Sequence, residues 1–137
     1  MEMATRGGAG SLAGAGAVAD PPRGSRLRRI LFASQKGGVG KTVSAVNVAA
    51  SIAQSGHKVL AVDTDPIGSV SACFGVTVAP GHPGLFGIEQ WELPDLTIPD
   101  VAPNLDLLPY AEDRRPIDLN QLHRALAELG RRVQGEY

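Results

Sequence analysis

The residues best equipped for chemistry lie in one short stretch, Ser34-Gln35-Lys36-Gly37-Gly38-Val39-Gly40-Lys41-Thr42. Glycines let a backbone approach a ligand closely, because no Cβ stands in the way. Successive N–H groups can then converge on an anion, and a helix that starts here adds its partial positive charge. The loop ends in Gly40-Lys41-Thr42, a device for holding phosphates. A second lysine, Lys36, opens the loop. Further along, Asp63 and Asp65 stand two residues apart in Asp63-Thr64-Asp65-Pro66. On their own, such carboxylates can shape a turn before proline. Together these residues could hold phosphates.

Such residues need elements to place them. Ile30, Leu31, Phe32 and Ala33 form a short apolar run, expected as a strand buried on both faces. After the loop, Val43, Val46, Val48, Ala49, Ile52 and Ala53 recur at helical spacing as far as Gln54, and Gly56 suits the left-handed position past a helix end. Val59-Leu60-Ala61-Val62 reads as a second apolar strand that ends at Asp63. The unit is strand, loop, helix, strand, with parallel strands and a right-handed crossover. In an open α/β sheet, ligands bind beyond the carboxyl ends of the strands, so both aspartates emerge on the edge that carries the glycine loop.

Gly68 to Phe74 fits a short helix closed by Gly75. Ala79 to Pro103 is rich in Pro and Gly and carries weak signals, apart from a turn of helix around Gly84 to Trp91. Leu105 to Pro109 reads as a third strand. Pro116 and Asp118 open a helix with Leu119, Leu122, Leu126, Leu129 and Val133 on one face, and Arg131 and Arg132 in its last turn. Residues 1–28 differ: Gly7 to Ala19 is almost all Gly and Ala, expected as a disordered tail, and Arg23, Arg26, Arg28 and Arg29 make a basic, solvated flank. Residues 29–137 are expected to be the folded part, the N-terminal portion of an α/β domain.

Composition narrows the classes. The formal net charge is −1, so no bulk field draws the chain toward nucleic acid or membrane. One cysteine, Cys73, excludes an internal disulfide framework and fits a reducing cytoplasm. No apolar run approaches the roughly 20 residues that cross a bilayer. Cys73 reads as a small buried side chain rather than a cluster ligand. His57, His82 and His123 share no metal-like spacing and read as surface residues. Phe86 and Trp91 read as packing anchors, and Asn47 as a helix residue that faces its sheet.

The usual phosphate loop has glycine, four residues, then Gly-Lys-Ser/Thr. Gln35 occupies the first glycine's position, and Lys36-Gly37-Gly38-Val39-Gly40-Lys41-Thr42 resembles instead the deviant Walker A motif of the ParA/MinD superfamily of ATPases. Asp63-Thr64-Asp65-Pro66 resembles the Walker A′ element, and the run Asp-x-Asp-Pro-x-Gly-Ser is most similar to ParA-type partition proteins. The resemblance implies a P-loop NTPase-type three-layer α/β fold with a parallel sheet. It implies ATP and Mg²⁺ as cofactors, bound by Lys36, Gly37, Gly38, Val39, Gly40, Lys41, Thr42 and Val43. Thr42 would meet the metal directly and Asp63 through water; Lys36 would reach the partner's phosphates across an ATP-dependent homodimer, and Asp65 would position the attacking water, making Lys36 and Asp65 the catalytic pair. Ile67 stands where the family commonly has Gln.

In that family the full-length protein also binds DNA non-specifically, answers to a ParB-like stimulator, and works in the cytoplasm on the nucleoid during chromosome or plasmid segregation. The family continues with a strand that ends in a Walker B aspartate and normally lies beside the P-loop strand. The 137 residues hold no such strand, so the chain is expected to be an N-terminal portion truncated before Walker B. A gap or open edge is then expected beside Ile30–Ala33, and ATP turnover is expected to be weak. The alternatives are a MinD-like or flagellar-positioning ATPase bound to membrane, a polysaccharide-linked tyrosine kinase of the same superfamily, and a non-catalytic nucleotide-binding fragment.

Overall fold

The computed structural model describes residues 27–110, 118–134 and 136–137. The Gly/Ala-rich segment, Arg23, Arg26 and the helix start expected at Pro116 lie outside the described residues.

Helix α1 spans Lys41–Gln54. Alanines at 45, 49, 50 and 53 and the branched Val46 and Ile52 line its inward side, while Val43 and Val48 face solvent. Gly56 ends it with φ +91°, a conformation that costs a glycine little, and its N–H returns to the Ala53 carbonyl at 3.0 Å. Asn47 does not face the sheet as expected. It is exposed, and its Nδ2 donates to the Val43 carbonyl one turn back, so the helix itself satisfies it.

Strand β1 (Val59–Val62) pairs in parallel with β3 (Leu105–Leu108), which pairs antiparallel with β2 (Ile98–Ala102). The order β1–β3–β2 makes a mixed sheet inside an α/β fold. The antiparallel arm comes from a tight β2–β3 hairpin, a connection that needs only a couple of residues. Its turn residue Asn104 takes φ +61°, tolerable for asparagine, and donates through Nδ2 to the Ala53 carbonyl, which ties the hairpin to the end of α1. The passage expected to carry weak signals holds its expected helical turn as a 3₁₀ turn over Gly84–Gly87, and contains in addition β2 and the short helix α3 (Leu93–Leu96).

Alternation along the strands splits the sheet into two faces. Leu60, Val62 and Leu108 pack under helix α4 (Leu119–Arg132), with Leu85, Ile88, Leu93 and Leu96 completing that core. Val59, Ala61, Leu105 and Leu107 face the other way, where α1 packs against β1 and β3. Phe86 joins the first core and stacks edge-on against Tyr110, with ring centroids 4.8 Å apart. Trp91 is half exposed; its N–H donates to the Gly87 carbonyl and its own carbonyl accepts from Arg132.

Helix α4 starts on an Asp118 cap whose carboxylate accepts from the backbone N–H groups of Asn120 and Gln121. Leu122, Ala125, Leu129 and Val133 point inward. Leu119 and Leu126, expected on the same face, sit outward; at 100° per residue they lie roughly 55–75° around from the centre of the buried stripe. Tyr137 folds back so that its hydroxyl donates to Asp106 at 2.7 Å, with the Lys58 ammonium 4.6 Å from its ring centroid.

The strand expected at Ile30–Ala33 is not formed. Among the described residues no hydrogen bond joins these four to the sheet, and Leu31 is 82% exposed. An apolar run becomes a strand only where another strand meets its backbone; β1 is the end strand of the sheet, paired on one side by β3, and among the described residues no strand meets Ile30–Ala33. Arg29 is exposed, as expected of a solvated flank, and its guanidinium also donates to the Gly130 carbonyl of α4. Cys73 is exposed rather than buried, since the short helix α2 (Ser69–Cys73) turns its last residue outward.

Candidate functional site

Helix α1 returns its C-terminal end to the start of β1, so its N-terminal end lies at the carboxyl edge of that strand. The glycine loop and Asp63 therefore share one edge, as expected of an α/β site. Helix α2, which follows the aspartates, packs against α1 and closes this side.

The loop owes its shape to two left-handed residues. Gly38 has φ +72° and Gly40 φ +86°, conformations that strain any residue with a Cβ. A Cβ added at Gly37, Gly38 or Gly40 would meet nothing within 4 Å, so the glycines face open space rather than packing. Their requirement is conformational. Gly38 to Val43 line an open cavity of about 280 Å³ at the head of α1. Gly40 caps α1 without a side-chain acceptor, so the first-turn N–H groups stay available to an incoming anion. The Lys41 ammonium bends back to donate to the Lys36 carbonyl at 3.1 Å, which leaves it two further donors. The Lys36 N–H donates to the Ser34 hydroxyl, and Lys36 itself is exposed. Thr42 and Val43 follow in the first turn of α1, Thr42 half-buried and Val43 exposed.

Asp63 is fully buried and held tightly. Its Oδ2 accepts from the Val70 and Ser71 backbone N–H groups and from the Ser71 hydroxyl, each at 3.1 Å. Among the described residues its Oδ1 accepts only from the Asp65 N–H, also at 3.1 Å. Asp63 thus carries the first turn of α2 and keeps one oxygen lightly used. Asp65 is half-buried; it accepts from the Ile67 N–H and from the Ser69 hydroxyl, both at 2.9 Å. Ser69, which closes the Asp-x-Asp-Pro-x-Gly-Ser run but was given no role, and Ser71, which sequence reasoning passed over, both belong to this site. The available signal was hydroxyl residues four and eight positions after the aspartates, just past a glycine.

The histidines hold no metal-like arrangement; no group of three or more ligating side chains occurs among the described residues. His57 and His123 are exposed. His82 differs from its expected surface position: it is half-buried, its Nδ1 accepts from the Gly84 N–H, and burial lowers its pKa.

A phosphate-loop α/β protein is the class that this fold and edge define, and comparison with known proteins is consistent with it. A family profile described as an AAA domain matches residues 27–133. The chromosome partitioning protein ParA of Caulobacter vibrioides is 32% identical over 113 residues, covering 81% of this chain and 39% of ParA. The chromosome-partitioning ATPase Soj of Thermus thermophilus is 49% identical over 57 residues, 42% of this chain and 23% of Soj. Among solved structures, the ATP complex of a single-site variant of Cyanothece McdA superposes with a TM-score of 0.56 at 28% identity, over 72% of this chain and 36% of McdA. A putative plasmid partition protein of Borrelia burgdorferi bound to AMPPNP gives 0.52 at 28% identity, over 69% and 45%. The chain belongs to the ParA/MinD family of P-loop ATPases. It spans about two-fifths of the length of the Caulobacter relative.

Proposed function

We propose that this chain carries the Mg·ATP-binding half of a ParA-like partition ATPase. The observation that carries this reading is the left-handed pair Gly38 and Gly40 opening α1 beneath an uncapped helix end, with Lys41 folded over the loop. Backbone N–H groups from Gly37 to Val43 would receive the phosphates, and Lys41 would exchange the Lys36 carbonyl for phosphate oxygen. The residues also fit Mg²⁺, which takes few protein ligands and keeps several waters. Thr42 would supply a hydroxyl, and Asp63 would act through water at its lightly used Oδ1. Bound there, the metal would neutralise charge on the phosphates.

Asp65 is the candidate for orienting the attacking water, in exchange for one of its two local bonds. Lys36, exposed at the loop's entrance, is the candidate for stabilising phosphate charge across a homodimer. In the full-length protein the same cycle would couple dimerisation to DNA binding during chromosome or plasmid segregation, in the cytoplasm and on the nucleoid, with a ParB-like stimulator. The names and solved complexes of its relatives support this reading. Among the described residues no helix is long and apolar enough to cross a membrane.

Titrating ATP with Mg²⁺ into the wild-type chain and into Lys41→Ala tests the site. Binding is expected in the first and a loss of tenfold or more in the second, the scale of one charge-assisted contact or more. Equal binding by both proteins would remove the loop assignment.

A further inference from the structure

The glycine loop is attached to the fold very unequally on its two sides. On the C-terminal side it runs straight into α1, which packs against β1, β3 and α2. On the N-terminal side Ile30–Ala33 have no backbone partner among the described residues. The nearest fixed points are Leu27, which packs against the core, and Arg29, whose Nη2 donates to the Gly130 carbonyl at 2.8 Å. Gly130 lies inside α4, is buried, and has no need of an unusual backbone angle. Glycine within a helix costs about 1 kcal/mol against alanine. What its missing side chain provides is a seat. A Cβ there would lie 2.8 Å from Arg29 Nη2 and 3.0 Å from its Cζ.

We propose that Arg29 and Gly130 form a clamp that positions the N-terminal arm of the phosphate loop against α4, making Arg29 a positioning residue for the nucleotide site. The inference rests on the phosphate-binding reading above. A planar guanidinium can lie flat on a helix where the Cβ is absent and still donate to the carbonyl beside it. The clamp joins α4, on one face of the sheet, to a loop that continues into α1 on the other.

The geometry also supplies a discriminating variant. Gly130→Ala meets only the far end of a flexible arginine, so Arg29 swings away while the backbone stays in place. Alanine at the same time raises the helix propensity of α4. Gly130→Ala is therefore expected to leave the thermal midpoint unchanged or higher, yet to loosen the loop's arm. In the nucleotide-free protein, amide order parameters across Leu31–Lys36 should fall toward about 0.6 or below in both Gly130→Ala and Arg29→Ala, while those within α4 stay near about 0.85. Mg·ATP affinity should fall roughly three- to tenfold in each, the scale of one ordinary net hydrogen bond. The double variant should be no worse than either single one, because both remove the same contact.

Order parameters at Leu31–Lys36 unchanged in both variants overturn the clamp, whatever happens to binding. So does a loosened arm combined with wild-type affinity, which leaves the contact without a positioning role. If the wild-type chain itself fails to bind Mg·ATP, the functional reading falls and the order parameters alone judge the clamp as a structural contact.

Discussion

Asp63 illustrates how much one side chain can organise. Four donors converge on a carboxylate with no exposed surface, and three of them belong to Val70 and Ser71 in the first turn of α2. Asp63→Ala leaves these donors buried without an acceptor, at about 1–3 kcal/mol for each donor stranded. We expect a loss of about 3 kcal/mol or more in chemical denaturation, whereas Asp63→Asn, which keeps one acceptor oxygen, should lose less. Equal, small losses in both would show that α2 does not depend on this carboxylate. His82 makes a second prediction at this scale. Burial lowers its pKa, so the unfolded chain takes up this proton at a higher pH than the folded one. As pH falls through the ordinary histidine range near 6.5, the unfolded state binds more protons and stability drops. The thermal midpoint should therefore fall between about pH 7.5 and about pH 5.5, and by less in His82→Gln, which retains a hydrogen-bonding side chain. Identical pH slopes would assign the dependence to other groups.

At the scale of elements, α4 separates what periodicity can and cannot reveal. A leucine every three or four residues announces the helix, but not where the centre of its buried stripe falls. Leu129 is buried in the core, whereas Leu119 is 75% exposed. Leu129→Ala should cost about 2–5 kcal/mol, the usual range for a buried leucine, and Leu119→Ala should stay within about 0.5 kcal/mol. Comparable losses in urea titrations of the two would place the stripe wrongly. Helix α1, β1, α2 and β3 were legible in the sequence, because each is local: an apolar period bounded by a glycine or an aspartate. The β2–β3 hairpin was not, because Ile98-Pro99-Asp100-Val101-Ala102 hides its strand behind a proline and an aspartate and finds its partner only in β3. Ile30–Ala33 failed in the opposite direction. Its composition is right for a strand, but composition cannot supply the neighbour that makes one.

For the whole molecule, the candidate site was legible as two motifs, and their common edge followed from chain direction alone. The sequence did not show how its parts are held: the seat for Arg29 on Gly130 needs residues 101 positions apart to meet, and no local pattern encodes that. A ligand bound only by the folded state adds RT ln(1 + [L]/Kd) to stability, about 2.7 kcal/mol at a hundred times Kd. Saturating Mg·ATP should therefore raise the thermal midpoint of this chain by several degrees, and leave that of Lys41→Ala nearly unchanged. A wild-type midpoint that ignores the nucleotide would contradict binding to the native fold.

The tight hold of Asp63 on α2 and the lack of backbone pairing at Ile30–Ala33 among the described residues give this site one stiff wall and one compliant one. Ordering a compliant wall costs conformational entropy at the moment of binding, whereas a stiff wall has met that cost during folding. Calorimetry should then find nucleotide binding favourable in enthalpy and opposed by entropy. Pre-ordering the arm, for instance by a cross-link between the segment at Arg29 and α4, should tighten binding chiefly by easing that entropic opposition.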